Sequence, residues 1–262
     1  MKIALFLMMS LLAGLRSAAD IRSSNTFVLA DVSSTKANTI VAVPWTGADG
    51  DIRVDRLVWP HGLTTGDMLI AVTNGLGYAG WTLTGDAEGA RTWEPMSTAR
   101  REEATGNVIW ADHDGSGMVA RGSGLWLIRQ NVSANFSVYG LSSSAEASVT
   151  IRGGSSKEPT YTMIASPSVT EAVDVNALPW PKDRIDKTDR IVVPTSTAAS
   201  MVYLWDAQKL MWYYGRTFVG NGVIETQYVY ELPVPAGTGF WYVRRGATDF
   251  TLELTARQSD AN

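Results

Sequence analysis

The chain has 262 residues, no cysteine, 22 Lys and Arg against 26 Asp and Glu, and a formal charge of −4. Without cysteine neither a disulfide nor a lipid-modified thiol is available, so burial and hydrogen bonds alone must hold the fold. The acidic balance, with no cluster of Lys and Arg, argues against nucleic acid, whose phosphates require a basic grip.

At the N-terminus Lys2 precedes the apolar run Ile3 to Leu15, and Ser17, Ala18 and Ala19 then supply the small residues that a signal peptidase reads. A leader over residues 1–19 is expected, with Asp20 opening an exported chain that ends in the periplasm, on the outer surface or outside the cell. The apolar run is too short to span a bilayer and no comparable run follows, so no transmembrane segment is expected in the mature chain. The leader holds Lys2 and Arg16 and no acid, which leaves the remainder more acidic than the whole. Residues 20–262 are enough for two ordinary domains with cores of their own.

A repeat organises those residues. Val54, Leu57, Trp59 and Pro60 recur as Val175, Leu178, Trp180 and Pro181, the pattern V-x-x-L-x-W-P at a constant offset of 121 residues. Residues 122–129 and 237–244 share G-x-G-[L/F]-W-x-[I/V]-R. Between these anchors Asp67 with the run Met68 to Val72 parallels Asp189 with Ile191 to Val193, and Trp93 parallels Trp212. Each copy begins with an aliphatic strand ended by proline, at Pro44 and Pro167, and closes on a short β run, Phe136 to Tyr139 and Phe250 to Leu254. The division is placed at residues 20–150 and 151–262, with Ser142-Ser-Ser and Gly153-Gly-Ser-Ser giving the composition of a flexible linker.

Local patterns agree with a β fold. Runs of four to six residues rich in Val, Ile, Trp and Tyr alternate with Gly, Asp, Asn and Ser clusters, and no helical period is sustained. The expected class is all-β: two homologous antiparallel β modules, sandwich or barrel-like, in an approximate twofold arrangement. V-x-x-L predicts one helical turn, stopped by the following proline. The G-x-G-aromatic-Trp segment is apolar on both alternating faces, which predicts a central strand covered on both sides with Trp126 and Trp241 in the core. Its glycines are expected to supply unusual backbone angles at the turn entering it. Arg100, Arg101, Glu102 and Glu103 neutralise one another and are expected in a solvated loop.

Met163-Ile-Ala-Ser-Pro167, Val175 to Pro181, Tyr203 to Tyr214 and Pro235-Ala-Gly-Thr-Gly-Phe-Trp-Tyr-Val-Arg244 together resemble a recurring type of exported two-module bacterial protein, especially verrucomicrobial. The resemblance covers nearly all of the mature chain and implies an exported β protein with a Pro-Ala-Gly-x-Gly-Phe-Trp terminal strand. It implies no catalytic set. The C-terminal apolar helix with a basic tail that some such proteins carry has no counterpart here, so anchoring through it is not expected.

Candidate chemistry is sparse. His61 and His113 are the only histidines, and Ser116 and Ser123 lie in Gly-rich turns without the strand-to-helix elbow of a nucleophilic serine. Asp112, Asp114 and Ser116 place oxygen ligands at alternate positions, like the opening half of a calcium loop, but Ser123 stands where the bidentate acid belongs. A polar hairpin turn accounts for the same residues, and no cofactor is expected. Asp67 and Asp189 read as acids ending a turn before a strand, and no spacing singles out a carboxylate pair for glycoside hydrolysis.

The aromatics are the most suggestive feature: 10 Trp, 9 Tyr and 6 Phe. Those that recur between modules read as core, and those that do not are better ligand candidates. Tyr203, Trp205, Trp212, Tyr213 and Tyr214 in the second module are therefore the candidate ligand-binding set. The expected function is a non-enzymatic structural or interaction protein of the bacterial envelope or exterior, meeting a protein or glycan at the cell surface. The alternative is a carbohydrate-binding protein that uses the second module's aromatics.

Overall fold

The computed structural model describes residues 24–29, 37–42, 52–54, 63–73, 77–85, 92–96, 98–101, 108–111, 118–119, 122–130, 136–141, 147–167, 171–194, 200–220, 223–235 and 237–254. The leader expected at residues 1–19, Trp59, both histidines, and Asp112, Asp114 and Ser116 lie outside these residues.

The described residues form an all-β protein. The first half supplies β1 (Ser24–Leu29), β2 (Ala37–Ala42), β3 (Ile52–Arg53), β4 (Met68–Thr73), β5 (Gly77–Thr84), β6 (Thr92–Pro95), β7 (Thr98–Arg101), β8 (Val108–Ala111), β9 (Met118–Val119), β10 (Gly124–Arg129) and β11 (Phe136–Leu141). The second supplies β12 (Ala147–Ile151), β13 (Thr160–Ala165), β14 (Val173–Asp174), β15 (Arg190–Pro194), β16 (Ser200–Asp206), β17 (Met211–Gly220), β18 (Val223–Val229), β19 (Pro233–Val234), β20 (Gly239–Arg244) and β21 (Phe250–Leu254).

Strand order matches between the halves. One sheet runs β2-β10-β4-β5-β7-β8, with β6 paired to β5 off that path, and the other runs β13-β20-β15-β16-β17-β18. The small ladders match too: β1 pairs β11 as β12 pairs β21, and β3 pairs β9 as β14 pairs β19. Register follows the repeat, since Trp126 faces Ile40 and Ile70 across its neighbours while Trp241 faces Met163 and Val192. Trp93 pairs with Leu83, and Trp212 with Trp205, at corresponding places. All pairings among the described strands are antiparallel, some between neighbours in sequence such as β4–β5 and β16–β17 and others between distant strands such as β1–β11, β2–β10, β12–β21 and β13–β20.

The V-x-x-L segment forms the expected single turn. Val175–Ala177 is a 3-10 turn capped by Asp174, whose side chain accepts from the Asn176 amide at 2.9 Å. Val54 and Val175 are both buried. Asn176 then clamps two strands, donating from Nδ2 to the Trp212 and Tyr230 carbonyls while its Oδ1 accepts the Trp212 amide at 2.7 Å. Trp180 closes the turn by donating from Nε1 to the Val175 carbonyl at 2.7 Å.

The second half is a two-layer sandwich. Ile191, Val193, Tyr203, Trp205, Trp212, Phe240 and Tyr242 point from the six-stranded sheet into one core. Val149, Ile151, Phe250, Leu252 and Leu254 of the β12–β21 ladder meet them, with Val175, Leu178 and Trp180 filling the end. Trp180 stacks on Tyr242 at 5.5 Å and meets Trp212 edge-on at 5.7 Å, and such pairs contribute about 0.5–1.5 kcal/mol each beyond their burial. The first half has its own core, including Val54, Leu69, Trp81, Leu83, Trp93, Leu125 and Leu127.

Two local expectations are corrected. Gly153 and Gly154 are not a flexible linker: a Cβ would lie 2.2 Å from the Ala247 carbonyl oxygen at the first and 2.5 Å from that of Arg244 at the second. They follow β12 directly, so the expected division at residue 150 cuts a strand whose pairing belongs to the second half. Arg100 and Arg101 end β7 rather than lying in a loop, because they pair with β8.

The two glycines of each G-x-G do different jobs. Gly122 and Gly237 have φ of 83° and 68°, the left-handed turn that a glycine adopts at little cost. Gly124 and Gly239 instead permit close approach of neighbouring strands, at Gly239 including Ile40 of the other half. A Cβ on Gly124 would sit 2.5 Å from Ile40 Cγ2, and one on Gly239 would sit 2.3 Å from the Ile164 carbonyl oxygen and 2.8 Å from Ile40 Cγ2. There the halves join reciprocally: Val41 bridges to Thr238, and Ile164 bridges to Ser123, the same two repeat positions with the halves exchanged. Trp126 and Trp241, equivalent residues, meet edge-on at 5.7 Å and 82°. That is the signature of an isologous, approximately twofold contact.

Each junction tryptophan stands on the sheet face opposite its core. Leu125 and Leu127 are buried in the first core, whereas Trp126 between them is half-buried at the junction, and Trp241 is half-buried likewise. The shared strand is therefore covered on both sides, once by its own core and once by the other half, which corrects the expectation that these rings are core. Trp126→Ala and Trp241→Ala should each cost about 1–3 kcal/mol, below the 3–5 kcal/mol of a fully buried ring. A urea-melt double-mutant cycle should leave a coupling of about 0.5–1.5 kcal/mol; additive losses would mean that the rings do not touch.

Candidate functional site

The buried charges are absorbed by the fold. Asp189, wholly buried, accepts the Tyr242 hydroxyl at 2.7 Å, the Arg244 guanidinium at 2.5 Å, and the amides of Asp186, Arg245 and Gly246 at 3.0, 2.7 and 3.2 Å. It ties the turn before β15 to the end of β20. Arg244, also buried, donates further to the Thr248 carbonyl at 2.8 Å. Burial, and then the Asp189 carboxylate, push the Tyr242 phenol far above its ordinary pKa, so it remains a donor. Asp67 makes the corresponding backbone ties, accepting the Thr64 amide at 2.9 Å and the Gln130 amide at 2.7 Å, and Arg129, which matches Arg244, is also buried. The sequence expectation of a turn-ending acid holds, but the matched Asp and Arg of the two copies also signal a tie between turn and strand end.

Among the expected ligand aromatics, Tyr203, Trp205 and Trp212 are core residues at 2%, 6% and 0% exposure and present no ring face to solvent. Alternation explains this: Trp205 pairs with Trp212, and both point to the face that packs on Trp180 and Tyr242. Tyr214 is half-buried against the same core. Only Tyr213 reaches the opposite face. It meets Tyr228 edge-on at 5.3 Å and Tyr230 at 6.0 Å, with Lys209 Nζ 4.1 Å over the Tyr230 ring and the Tyr230 hydroxyl donating to Asp206 at 2.9 Å. Backbone amides of Lys209 and Gln208, with the Tyr230 hydroxyl, hold the Asp206 carboxyl below the usual carboxylate range.

The large exposed hydrophobics follow one rule. Among the described residues they are Tyr78, Met96, Tyr161, Val202, Leu210 and Tyr228. Leu210 sits at the β16–β17 hairpin tip with φ of 54°, a backbone that leucine adopts at some cost. The other five lie on the outer faces, the sides turned away from the two cores. Tyr161 shares its face with Trp241, and Val202 with Tyr213. Tyr228 pairs with Gly215 on that face. Tyr78 alternates with Gly80, over which Met96 packs, on the face of Trp126. The halves already meet through part of this surface, and the rest stays open.

Residues that could ligate a metal do not converge: no group of three or more His, Cys, Asp or Glu forms among the described residues. A shallow open depression lined by Thr150, Pro181, Arg184, Asp249, Phe250 and Thr251 gathers one acid and one base without a nucleophile between them. No helix among the described residues is long and apolar enough to cross a membrane. No protein-family model, no curated protein and no solved structure matches this chain.

The site's chemistry is thus of two kinds, buried charge serving the fold and exposed aromatics on open sheet faces. Asp189→Ala leaves the Arg244 guanidinium buried without its carboxylate and should cost about 3–5 kcal/mol in a urea melt. Asp206→Ala, at a solvated carboxylate, should leave the midpoint close to wild type. Equal midpoints for the two variants would contradict the assignment of Asp189 to the fold.

Proposed function

We propose that the protein is a non-enzymatic interaction protein of the bacterial envelope or exterior, and that its outer sheet faces are the contact surface. One observation carries this: among the described residues, five of the six large exposed hydrophobics share those faces, and the sixth caps the adjoining hairpin. Scattered surface apolar residues need no explanation, but a set confined to one kind of face marks contact. The buried carboxylates and Arg244, which a catalytic reading would claim, are occupied in tying turns to strands. Export rests on the leader expected at residues 1–19.

A pelleting assay tests the proposal. Mature protein is mixed with envelopes of the source bacterium, and bound protein is measured against concentration. Binding should saturate, and replacing Tyr78, Tyr161, Val202 and Tyr228 together by Ser should weaken it about tenfold or more, with a melting midpoint near wild type. Absence of saturable binding, or equal binding by the folded variant, would contradict the proposal.

A further inference from the structure

The aromatics at the junction do not obey the repeat. Trp126 and Trp241 are equivalent and serve both halves. Tyr161, which meets Trp241 edge-on at 6.4 Å, has Asn38 at its repeat-related position, and Tyr78 has Ser200. One flank of the approximate twofold therefore carries two tyrosines, and the other carries an asparagine and a serine. Tyr78 comes from the first half and Tyr161 from the second, yet they lie close enough that Tyr161 contributes to raising the Tyr78 pKa, after burial itself. Each is 40% exposed. The matching strand positions carry Asn38 and Ser200, so the repeat itself does not call for rings there.

Resting on the interaction reading above, we infer that Tyr78, Tyr161 and the half-exposed junction tryptophans form a binding site for a neutral polysaccharide. Three features favour that class. The site is composite, lying where two units meet, which is where ligand sites concentrate. Its rings combine apolar faces with phenolic hydroxyls, which suits a sugar whose one face presents C–H groups and whose rim presents hydroxyls. Finally Tyr78, Tyr161, Trp126, Trp241 and the neighbouring Met96 carry no charge, so an anionic ligand would find no counter-charge among them. Tyrosines, immobilised at two torsions each, lose little entropy on binding.

The repeat supplies the variant that tests this without unfolding the protein. Tyr161→Asn with Tyr78→Ser installs the residues that the opposite flank already tolerates. Mobility in native gels containing laminarin, hydroxyethylcellulose, xylan or mannan is the readout, with Trp emission as a second one because Trp241 adjoins Tyr161. At least one of these neutral polysaccharides should retard the wild type, and the double variant should lose about tenfold or more in apparent affinity. Retardation by none of the four overturns the inference, as does equal retardation of the double variant. Equal retardation by heparin overturns the neutral class. Saturable envelope binding together with no polysaccharide binding would leave the interaction reading standing and remove only this inference.

Discussion

Everything in this architecture depends on two places where backbone meets its neighbour without a side chain between. Gly124 and Gly239 let Ile40 and the Ile164 carbonyl occupy the volume of a Cβ, and Ile40 reaches Gly239 from the other half at 2.8 Å. A protein interior close-packed at that point cannot absorb even one methyl group without moving backbone. The reciprocal bridges Val41–Thr238 and Ser123–Ile164 form on that approach, and the Trp126–Trp241 contact lies beside it. It also decides which part of each outer sheet face is covered and which remains open, and so where the chain can meet anything else.

Within each half a buried carboxylate plays the corresponding part. Asp189 gathers a turn, the end of β20 and two side chains into one network, and without it the Tyr242 hydroxyl and Arg244 Nη1 would be buried without their acceptor. Asp67 does the same for the turn before β4 and the end of β10. Cross-links are absent because the chain has no cysteine, so these polar ties and the aromatic cores hold each sheet to its turns. The nearby Asp186 carboxyl is held below its ordinary range chiefly by the Thr188 hydroxyl and amide. Its contribution is present above the unfolded carboxylate pKa and is lost as pH falls through the lower folded value.

Much of this fold was legible because the repeat is. The V-x-x-L turn, the strand ended by proline before Pro167, the closing run at Phe250 and the turn acids Asp67 and Asp189 all follow from residues matched between copies. Tyr203, Trp205 and Trp212 lie in the core for a definite reason. In a strand, burial is set by parity, and parity is invisible where apolar residues occupy both faces: Trp205 and Trp212 point inward while Tyr213 and Val202 point outward. The same ambiguity placed Trp126 and Trp241 in a core when their faces meet across the junction. Gly153 and Gly154 read as linker because composition cannot distinguish a mobile glycine from one pressed against backbone. The signal that does find the open site is non-repetition, Tyr161 against Asn38 and Tyr78 against Ser200, once the register is known.

Among the described residues the buried charges Asp67, Asp189 and Arg244 serve the fold, and the large exposed aromatics gather on the outer sheet faces. The junction is what makes that arrangement asymmetric and exposes the tyrosine flank. Gly239→Ala tests it most directly, because the added methyl meets Ile40 Cγ2 of the other half at 2.8 Å while the Ile164 carbonyl of its own sheet, which cannot swing aside as a side chain can, leaves it no room to retreat. The account predicts a loss of about 1–3 kcal/mol, a fall of several degrees in melting midpoint, and a red-shifted Trp emission as Trp126 and Trp241 separate. A midpoint and emission maximum within error of wild type would contradict the claim that close approach at this glycine joins the two halves.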